Sequence, residues 1–253
     1  MIPIKSDLEM EKMAKAGRLL ATVREALRDA VRVGIGTKEL DDMAEKMIRA
    51  GGARPAFKGY GNKNNPYPAT ICASIDDVVV HGIPSSADVL KEGMIISVDL
   101  GLELDGFFAD SAFTKAVGKI SQEDKKLINA TEEALAQAIE MAVAGNRVGD
   151  ISYAIQKVAE KSGFSPIRDL VGHGIGERLH EEPAVPCFGK AGEGPVLAVG
   201  MVLAIEPMIA VGDWRVETGE DGWTVRTADG SKCAHVEHTV AITKNGPVVL
   251  TLT

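Results

Sequence analysis

The sequence contains few cysteines, few aromatic residues and no long apolar segment, and each shortage excludes a class of protein. Its 253 residues include three cysteines, widely spaced and without a CxxC pair, so neither a disulfide framework nor a thiolate zinc site is indicated. The N-terminus runs into a charged amphipathic stretch and lacks the apolar core of about 7 to 15 residues that a signal peptide carries. We therefore expect a cytoplasmic protein that is not bound to a membrane.

The composition is otherwise that of an ordinary globular protein. Hydrophobic residues make up 45% of the chain and charged residues 25%, which argues against disorder, a fibre or a membrane bundle. The formal net charge of -8 argues against a surface that binds phosphate backbones, so nucleic acid is not the expected substrate. The length suits one large domain or two small ones.

Apolar periodicity and helix breakers predict the same order of elements twice. In the first half we expect helices at 7–32 and 37–50, an irregular loop at 53–68, and strands at 69–75, 77–81, 94–104 and 107–117. In the second half we expect helices at 121–143 and 150–162, and strands at 166–171, 201–211, 222–227, 233–243 and 247–251. The predicted fold class is pseudo-twofold α+β, with helices on the outer face of a curved antiparallel sheet. We expect a single domain, 1–253, made of halves at about 1–120 and 121–253.

A hairpin expected around Asp105–Gly106 brings two acids to one face of the sheet. With those residues as its turn, Gly101 pairs with Asp110 and Asp99 pairs with Ala112. Because side chains alternate along a strand, Asp99 and Asp110 become diagonal neighbours, with backbones about 7 to 8 Å apart. They could be two solvated acids on an open face. The apolar strand around Asp99 disfavours that, since a buried acid needs its charge balanced, and it indicates a cation between the two.

Two more acids, Glu206 and Glu237, stand in apolar strands of the second half. An isolated buried carboxylate neutralises, whereas several around a metal stay ionised. Each acid alone could be a salt-bridged structural residue, but four in four strands indicate a shared site. The histidines add to this pattern, because the five in the chain lie among glycine, proline and acidic residues, at His81, His173, His180, His235 and His238.

A set of motifs, in order over essentially the whole chain, resembles the type I methionine aminopeptidases in their short bacterial form. No large insertion separates His173 from Glu206, unlike the type II form. The resemblance implies the pita-bread fold, a dinuclear metal centre, and removal of the initiator methionine from nascent chains whose second residue is small. The motifs are Val80-His81-Gly82-Ile83-Pro84, Val98-Asp99, Asp105-Gly106-Phe107-Phe108-Ala109-Asp110-Ser111, Gly172-His173-Gly174-Ile175-Gly176, His180-Glu181-Glu182-Pro183, Ile205-Glu206-Pro207-Met208, Trp223-Thr224-Val225 and Glu237-His238-Thr239.

The resemblance also implies the roles of individual residues. Asp110 and Glu237 would bridge two divalent ions, with Asp99 completing one site and His173 and Glu206 the other. Carboxylates with one imidazole suit Co, Mn, Fe or Zn. Glu206 would also carry a proton to the leaving amine. The implied metal ligands are therefore Asp99, Asp110, His173, Glu206 and Glu237, and the implied contacts to the scissile region are His81 and His180.

The implied methionine pocket is apolar and lined by Tyr67, Cys72, His81 and Trp223. Cys72 could equally be a small core residue. The sequence departs from the family pattern at Leu179, where a close relative has an aromatic residue, and at 63–66, which look inserted. The expected partners are nascent polypeptide N-termini close to the ribosome, and the expected state is a monomer.

Two other functions are compatible with parts of the pattern. A proline-specific aminopeptidase or prolidase shares the fold but carries an extra N-terminal domain, for which the 98 residues before Asp99 leave no room. A non-catalytic binding module that kept the fold would typically have lost metal ligands. Here all five ligand positions hold side chains that can bind a metal.

Overall fold

The computed structural model describes residues 2–252, which contain four helices and both long and very short strands. The helices are α1 (Asp7–Ala30), α2 (Thr37–Ala50), α3 (Gln122–Met141) and α4 (Val148–Lys161). The first-half strands are β1 (Arg54–Pro55), β2 (Gly61–Asn62), β3 (Asn65–Pro66), β4 (Ile71–Ile75), β5 (Val78–Val80), β6 (Ile95–Leu104) and β7 (Phe107–Ala116). The second-half strands are β8 (Ser165–Pro166), β9 (Val171–Gly174), β10 (Glu181–Pro186), β11 (Val202–Ile205), β12 (Met208–Ala210), β13 (Val216–Thr218), β14 (Val225–Thr227), β15 (Cys233–His235), β16 (His238–Thr243) and β17 (Gly246–Val249).

The first helix shows how local sequence sets the boundaries of an element. Ser6 caps α1 in a reciprocal capping box: the Glu9 N–H donates to Ser6 Oγ at 3.4 Å, and the Ser6 N–H donates to Glu9 Oε2 at 2.7 Å. The apolar face of α1 then packs against β6 and β7, the two strands that carry the first pair of acids. The side chains that α1 buries include Met13, Leu20, Val23 and Leu27.

The strands pair antiparallel throughout residues 2–252, as predicted. The longest run of pairing joins β6 to β7 along one edge, and β4 and β1 both pair along the opposite edge of β6. The second half has a five-stranded sheet in the order β10-β9-β11-β16-β17, and smaller sheets join β15-β12-β8 and β13-β14-β5. The helices pack against these strands, so the predicted α+β class is confirmed.

Several predicted strands differ from the observed ones. The segment 53–68 was expected to be irregular, and that is wrong, because it contains β1 and the small hairpin β2–β3. The expected strand at 166–171 is also wrong, since β8 ends at Pro166 and β9 begins at Val171. The expected strands at 201–211 and 233–243 are each interrupted, after Ile205 and after His235. The pattern also missed β10 and β13, because strands this short or this exposed carry little periodicity.

Buried apolar residues form three clusters. One is built mainly from α3, α4 and second-half strands, and another from α1, α2 and first-half strands. The third contains residues from both halves, among them Tyr67, Cys72, Ile175 and Leu179. The division into halves at about 120 stays a prediction. No helix between residues 2 and 252 has both the length and the apolar character needed to cross a bilayer.

Candidate metal centre and substrate pocket

The β6–β7 hairpin places its two acids as the sequence predicts. Asp99 pairs with Ala112 and Gly101 with Asp110, so the predicted register is confirmed. The turn at Asp105–Gly106 has φ of 53° and 85°, which is the left-handed backbone that a two-residue hairpin loop requires. A Cβ on Gly101 would lie 3.3 Å from Asp110 Oδ1, so this glycine leaves room for the carboxylate. The two acids therefore share one face.

The second-half acids lie at breaks between strands. Glu206 directly follows β11, and Glu237 lies between β15 and β16. The Glu237 N–H donates to the Ala112 carbonyl at 3.0 Å, and the Ala112 N–H donates back at 3.3 Å. Because Ala112 pairs with Asp99 on its other side, Asp99 and Glu237 flank the same residue of β7. This backbone pairing across the halves brings the acids together.

Buried hydroxyl groups hold the two halves together beside the acids. Thr239 Oγ1 accepts from the Asp110 N–H at 2.9 Å and donates to the Asp110 carbonyl at 2.7 Å. Ser111 Oγ donates to the Glu237 carbonyl at 2.9 Å, and Thr114 Oγ1 donates to the His235 carbonyl at 2.7 Å. Each of these hydroxyls bonds a backbone group of the other half, in place of the backbone–backbone hydrogen bonds of a continuous sheet. The two halves therefore remain joined where the strands are interrupted.

All five predicted ligands line one cavity. Within it, ligand atoms of Asp110, His173 and Glu237 all lie within 4.8 Å of one another. His173 Nε2 lies 3.7 Å from Glu206 Oε1. Asp99 Oδ1 and Glu237 Oε1 are buried and have no hydrogen-bond partner among the described residues. Buried carboxylate oxygens need a partner, and a bound divalent cation would supply one, so the residues fit a metal centre.

The charge state of the four acids supports the same interpretation. Burial raises the pKa of Asp99 to about 7. Burial, and then repulsion by neighbouring carboxylates, raises the pKa values of Asp110, Glu206 and Glu237 well above their usual range. Without a cation the cluster would therefore retain protons at neutral pH. A divalent ion stabilises the ionised forms and removes this penalty.

His173 is prepared to act as a neutral ligand. Its Nδ1 lies 2.9 Å from the Gly174 carbonyl, so Nδ1 carries the proton and donates it there. Nε2 is then left with a free lone pair that faces the acids. Burial lowers the pKa of His173 to about 3, so the imidazole is uncharged at neutral pH. A backbone carbonyl that fixes the tautomer in this way is a common companion of a metal-binding histidine.

One histidine at this centre was counted in the sequence pattern but was given no role there. His235 is buried, and its Nε2 lies 3.5 Å from Glu206 Oε2 and 4.0 Å from Glu237 Oε2. That nitrogen has no hydrogen-bond partner among residues 2–252. The signal that could have found it is its position two residues before Glu237, because alternate residues of an extended chain share a face.

A cavity of about 290 Å³ opens beside the five candidate ligands. Ligand pockets usually range from about 300 to 1,000 Å³, so this one suits a single side chain with its adjoining backbone. Tyr67, Cys72, His81, His180 and Trp223 all line it, as expected for the implied substrate contacts. Further lining residues, which the sequence did not single out for the pocket, are Phe57, Val80, Asp169, Leu170, Val171 and Met208.

The aromatic wall of the cavity depends on the short hairpin β2–β3. Trp223 Nε1 donates to the Asn65 carbonyl at 3.1 Å, and a Cβ on Gly61 would lie 2.6 Å from the Trp223 ring. The Tyr67 and Trp223 rings meet edge to face, with centroids 5.2 Å apart. The segment 63–66, which looks inserted in the sequence, is solvent-exposed but contacts the wall through the Asn65 carbonyl.

Two histidines face the cavity from opposite sides. His81 has φ of 59°, a strained conformation for a residue with a side chain, and its ring lies 6.0 Å from that of Trp223. His180 Nδ1 lies 2.5 Å from Tyr60 Oη, and its ring is 4.3 Å from that of His173. Burial lowers the pKa of both His81 and His180. Leu179, the departure from the family pattern, is buried in the same wall.

Comparison with known proteins identifies the class. The chain matches the model of metallopeptidase family M24 over residues 11–244, so it belongs to that family and binds divalent metal. It is 51% identical over 253 residues to a methionine aminopeptidase of Clostridium perfringens, covering 100% of this chain and 99% of that protein. It is 49% identical over 251 residues to methionine aminopeptidase 1 of Bacillus subtilis, covering 99% of each. The predicted resemblance and the predicted class of metal-dependent aminopeptidase are thus confirmed.

Solved structures agree with this assignment. The crystal structure of methionine aminopeptidase from Thermotoga maritima superposes with a TM-score of 0.97 at 45% identity, covering 100% of both chains. A prolidase from Pyrococcus furiosus superposes with a TM-score of 0.79 at 23% identity, and the match covers 99% of this chain but 65% of the prolidase. The prolidase thus shares the fold, and the predicted pita-bread architecture is confirmed.

Proposed function

We propose that the chain removes the N-terminal methionine from nascent proteins and peptides whose second residue is small. The observation that carries the proposal is the placement of four acids and His173 beside a cavity with room for one side chain. A cavity of this size favours an enzyme that acts at a chain end over one that binds a long stretch of peptide. The full-length similarity to methionine aminopeptidases supports the same substrate.

The proposed centre holds two divalent ions. Asp110 and Glu237 would contribute to both sites, Asp99 to one of them, and His173 and Glu206 to the other. Co, Mn, Fe or Zn suit these ligands. When bound, such ions would lower the pKa of a water molecule and polarise the scissile carbonyl.

The remaining roles belong to the side chains around the cavity. Glu206 accepts a proton and passes it to the leaving amine, for which its position in the cavity lining is suited. His81 and His180 contact the peptide on either side of the scissile bond. Methionine packs against Tyr67, Cys72, His81 and Trp223, with Leu179 adding an aliphatic surface in place of an aromatic ring.

The setting of the reaction follows from the substrate. An enzyme that acts on nascent chains works in the cytoplasm near the ribosome. We propose that it does so as a monomer, because both halves of the centre come from one chain.

A metal-reconstituted peptidase assay tests the proposal. Purified protein, stripped with chelator and reloaded with Co, Mn, Fe or Zn, is given Met-Ala-Ser, Met-Leu-Ser and Ala-Pro-Ala. We expect release of methionine from Met-Ala-Ser, little from Met-Leu-Ser, and no cleavage of Ala-Pro-Ala. Cleavage of the proline peptide alone would identify a proline-specific enzyme. Absence of both metal binding and cleavage would favour a binding module.

A further inference from the structure

A lysine near the N-terminus forms a buried ion pair with the residue that follows His180. Lys5 Nζ lies 2.5 Å from Glu181 Oε2, and the two side chains are only 5% and 3% exposed. The desolvation penalty of such a pair offsets much of its attraction, so a buried ion pair is weak evidence for a stabilising role.

The pair is packed into the turn at 176–181. Glu181 Oε1 accepts from the Arg178 N–H at 3.1 Å, while Oε2 takes the lysine. The Gly176 N–H donates to the Arg178 carbonyl at 3.1 Å, which closes the turn. A Cβ on Gly176 would overlap the Lys5 side chain, so the lysine lies directly against the turn backbone. The Lys5 N–H in turn donates to the Gly200 carbonyl at 2.8 Å, which fixes the lysine itself.

That turn presents two side chains to the substrate cavity. Leu179 and His180 both line it, and neither lies within a helix or a strand that could fix its position by backbone pairing. Beyond the turn, β10 pairs with β9 at Glu181 and Gly174, and the register then shifts before Ala184. Glu181 is therefore the first residue of β10 and directly follows the turn. Its side-chain contacts are suited to restrain the positions of Leu179 and His180.

We propose that Lys5 is a positioning residue: through Glu181 it holds the 176–181 turn so that Leu179 and His180 keep their places in the cavity wall. The link to substrate binding rests on the proposed function, whereas the effect on the turn does not. Losing the pair would leave the chemistry of the buried acids intact but loosen one wall of the pocket. The expected signature is thus a rise in KM larger than the fall in kcat.

Three variants separate positioning from simple stabilisation. Lys5→Met leaves Glu181 buried and unpaired, which should lower thermal stability as well as affinity. The double variant Lys5→Met with Glu181→Met removes both charges, so thermal stability should recover toward the wild-type value. We expect KM for Met-Ala-Ser to rise about tenfold in both, because displacements of about 1 Å in a site have effects of up to about 10². Lys5→Arg retains the cation and should keep KM near the wild-type value.

Hydrogen exchange of the amides in 176–181 provides a readout that needs no activity. Exchange should accelerate in Lys5→Met and in the double variant, with little change in Lys5→Arg. Lys232→Met is the matched control, since Lys232 also pairs with a buried carboxylate, that of Asp124 at 3.2 Å, and neither residue lines the cavity or contacts this turn. It should lower global stability without raising KM or speeding exchange selectively in the turn.

The outcomes distinguish the two proposals. A double variant with wild-type KM and unchanged exchange in 176–181 would show that the pair is merely structural and would overturn the inference. If the wild-type protein failed to cleave Met-Ala-Ser, the proposed function would fail instead, and the exchange data would still decide whether Lys5 holds the turn. If the double variant did not fold, Lys5→Met compared with Lys5→Arg would decide.

Discussion

The two halves of the molecule each supply two acids to the candidate metal centre, but the acids of the first half lie within strands and those of the second half lie outside them. In the first half, Asp99 and Asp110 sit within β6 and β7, where the pairing is uninterrupted over ten positions. In the second half, Glu206 and Glu237 sit outside the strands, at points where β11 and β15 end. One pair of carboxylates is thus placed by a local hairpin and the other by contacts between distant segments.

This difference has a physical cause. Aspartate is short, so a diagonal pair on one face of a hairpin can converge without leaving the ladder. The longer glutamates have to turn their side chains into a space already occupied by sheet. Where the strand is interrupted, the glutamate side chain is free to point toward the other acids. After Glu206 the interruption is favoured by Pro207, which has no N–H to donate to a neighbouring strand. Beside the break before β16, the hydroxyls of Ser111 and Thr114 donate to the carbonyls of Glu237 and His235.

The strongest test of the comparison removes one proposed bridging acid from each half. Asp110→Asn and Glu237→Gln should each lower kcat/KM for Met-Ala-Ser by on the order of 10³ or more, about 4 kcal/mol of transition-state stabilisation. Bound metal per chain, measured by elemental analysis, should fall in both. Metal content that falls in only one variant would show that the halves do not contribute equally.

A change at Glu206 should affect proton transfer more than binding. Glu206→Gln keeps the size of the side chain but removes its basic oxygen, so kcat should fall by about 10²- to 10⁴-fold, with a smaller change in KM. Steady-state kinetics measures both constants. Glu220→Gln, at an exposed position, is the control and should behave as wild type. An unchanged kcat for Glu206→Gln would remove this residue from the proton pathway.

Two glycines beside the acids allow a direct comparison of the halves. A Cβ on Gly172 would lie 2.5 Å from the Ala204 carbonyl oxygen and 3.2 Å from Glu206 Cγ, and the backbone cannot easily yield. A Cβ on Gly101 meets side chains, the nearest at 2.9 Å on Phe57. We expect Gly172→Ala to lower the free energy of unfolding by about 3 kcal/mol and Gly101→Ala by about 1 kcal/mol. Urea denaturation measures both, and the reverse order would contradict this picture.

The chelated protein should lose stability as the pH rises toward and through about 7. Burial raises the pKa of Asp99 to about 7 from 3.8, so the native state retains a proton that the unfolded chain has lost. The stability due to that proton is lost as pH rises through about 7, at up to about 1.4 kcal/mol per pH unit per proton. His173, with a pKa lowered to about 3 from 6.5, gives the opposite slope only below pH 6.5.

The check is a series of urea denaturation curves of metal-free protein between pH 6.5 and 8. Within this window the free energy of unfolding should fall with pH in the wild type and fall less steeply in Asp99→Asn. Saturating divalent metal should abolish the fall in the wild type, since the ions keep the carboxylates ionised. A stability that increased with pH across this window would contradict the assigned direction of the shifts.

The smallest effect is expected at the turn of the first-half hairpin. Gly106 has φ of 85°, and an alanine there should lower the free energy of unfolding by about 1 kcal/mol. Because ten residue pairs fix the register of β6 and β7, kcat/KM should stay at its wild-type value. A strong loss of activity would mean that the turn, rather than the pairing, sets the positions of Asp99 and Asp110.

The elements of the fold were predictable where a local sequence pattern extends over many consecutive residues. The four helices follow from capping residues, glycine breakers and apolar periodicity, and α1 was expected at 7–32 against the observed Asp7–Ala30. The short elements were not predictable in this way. β2 and β3 have two residues each and exist because Trp223, far along the chain, packs against their hairpin.

The candidate site also has a part that local sequence predicts and a part that it does not. Turn chemistry and side-chain alternation predict the face shared by Asp99 and Asp110, because every contact involved lies within one hairpin. The family motifs indicated His173, Glu206 and Glu237 without saying how they reach the same point. The tertiary structure decided that, by pairing Glu237 with Ala112 across the halves, by placing His235 beside the acids, and by joining Lys5 to Glu181 against the 176–181 turn. Those contacts join residues far apart in the chain, and the packing that brings such residues together leaves no local periodicity from which they could be inferred.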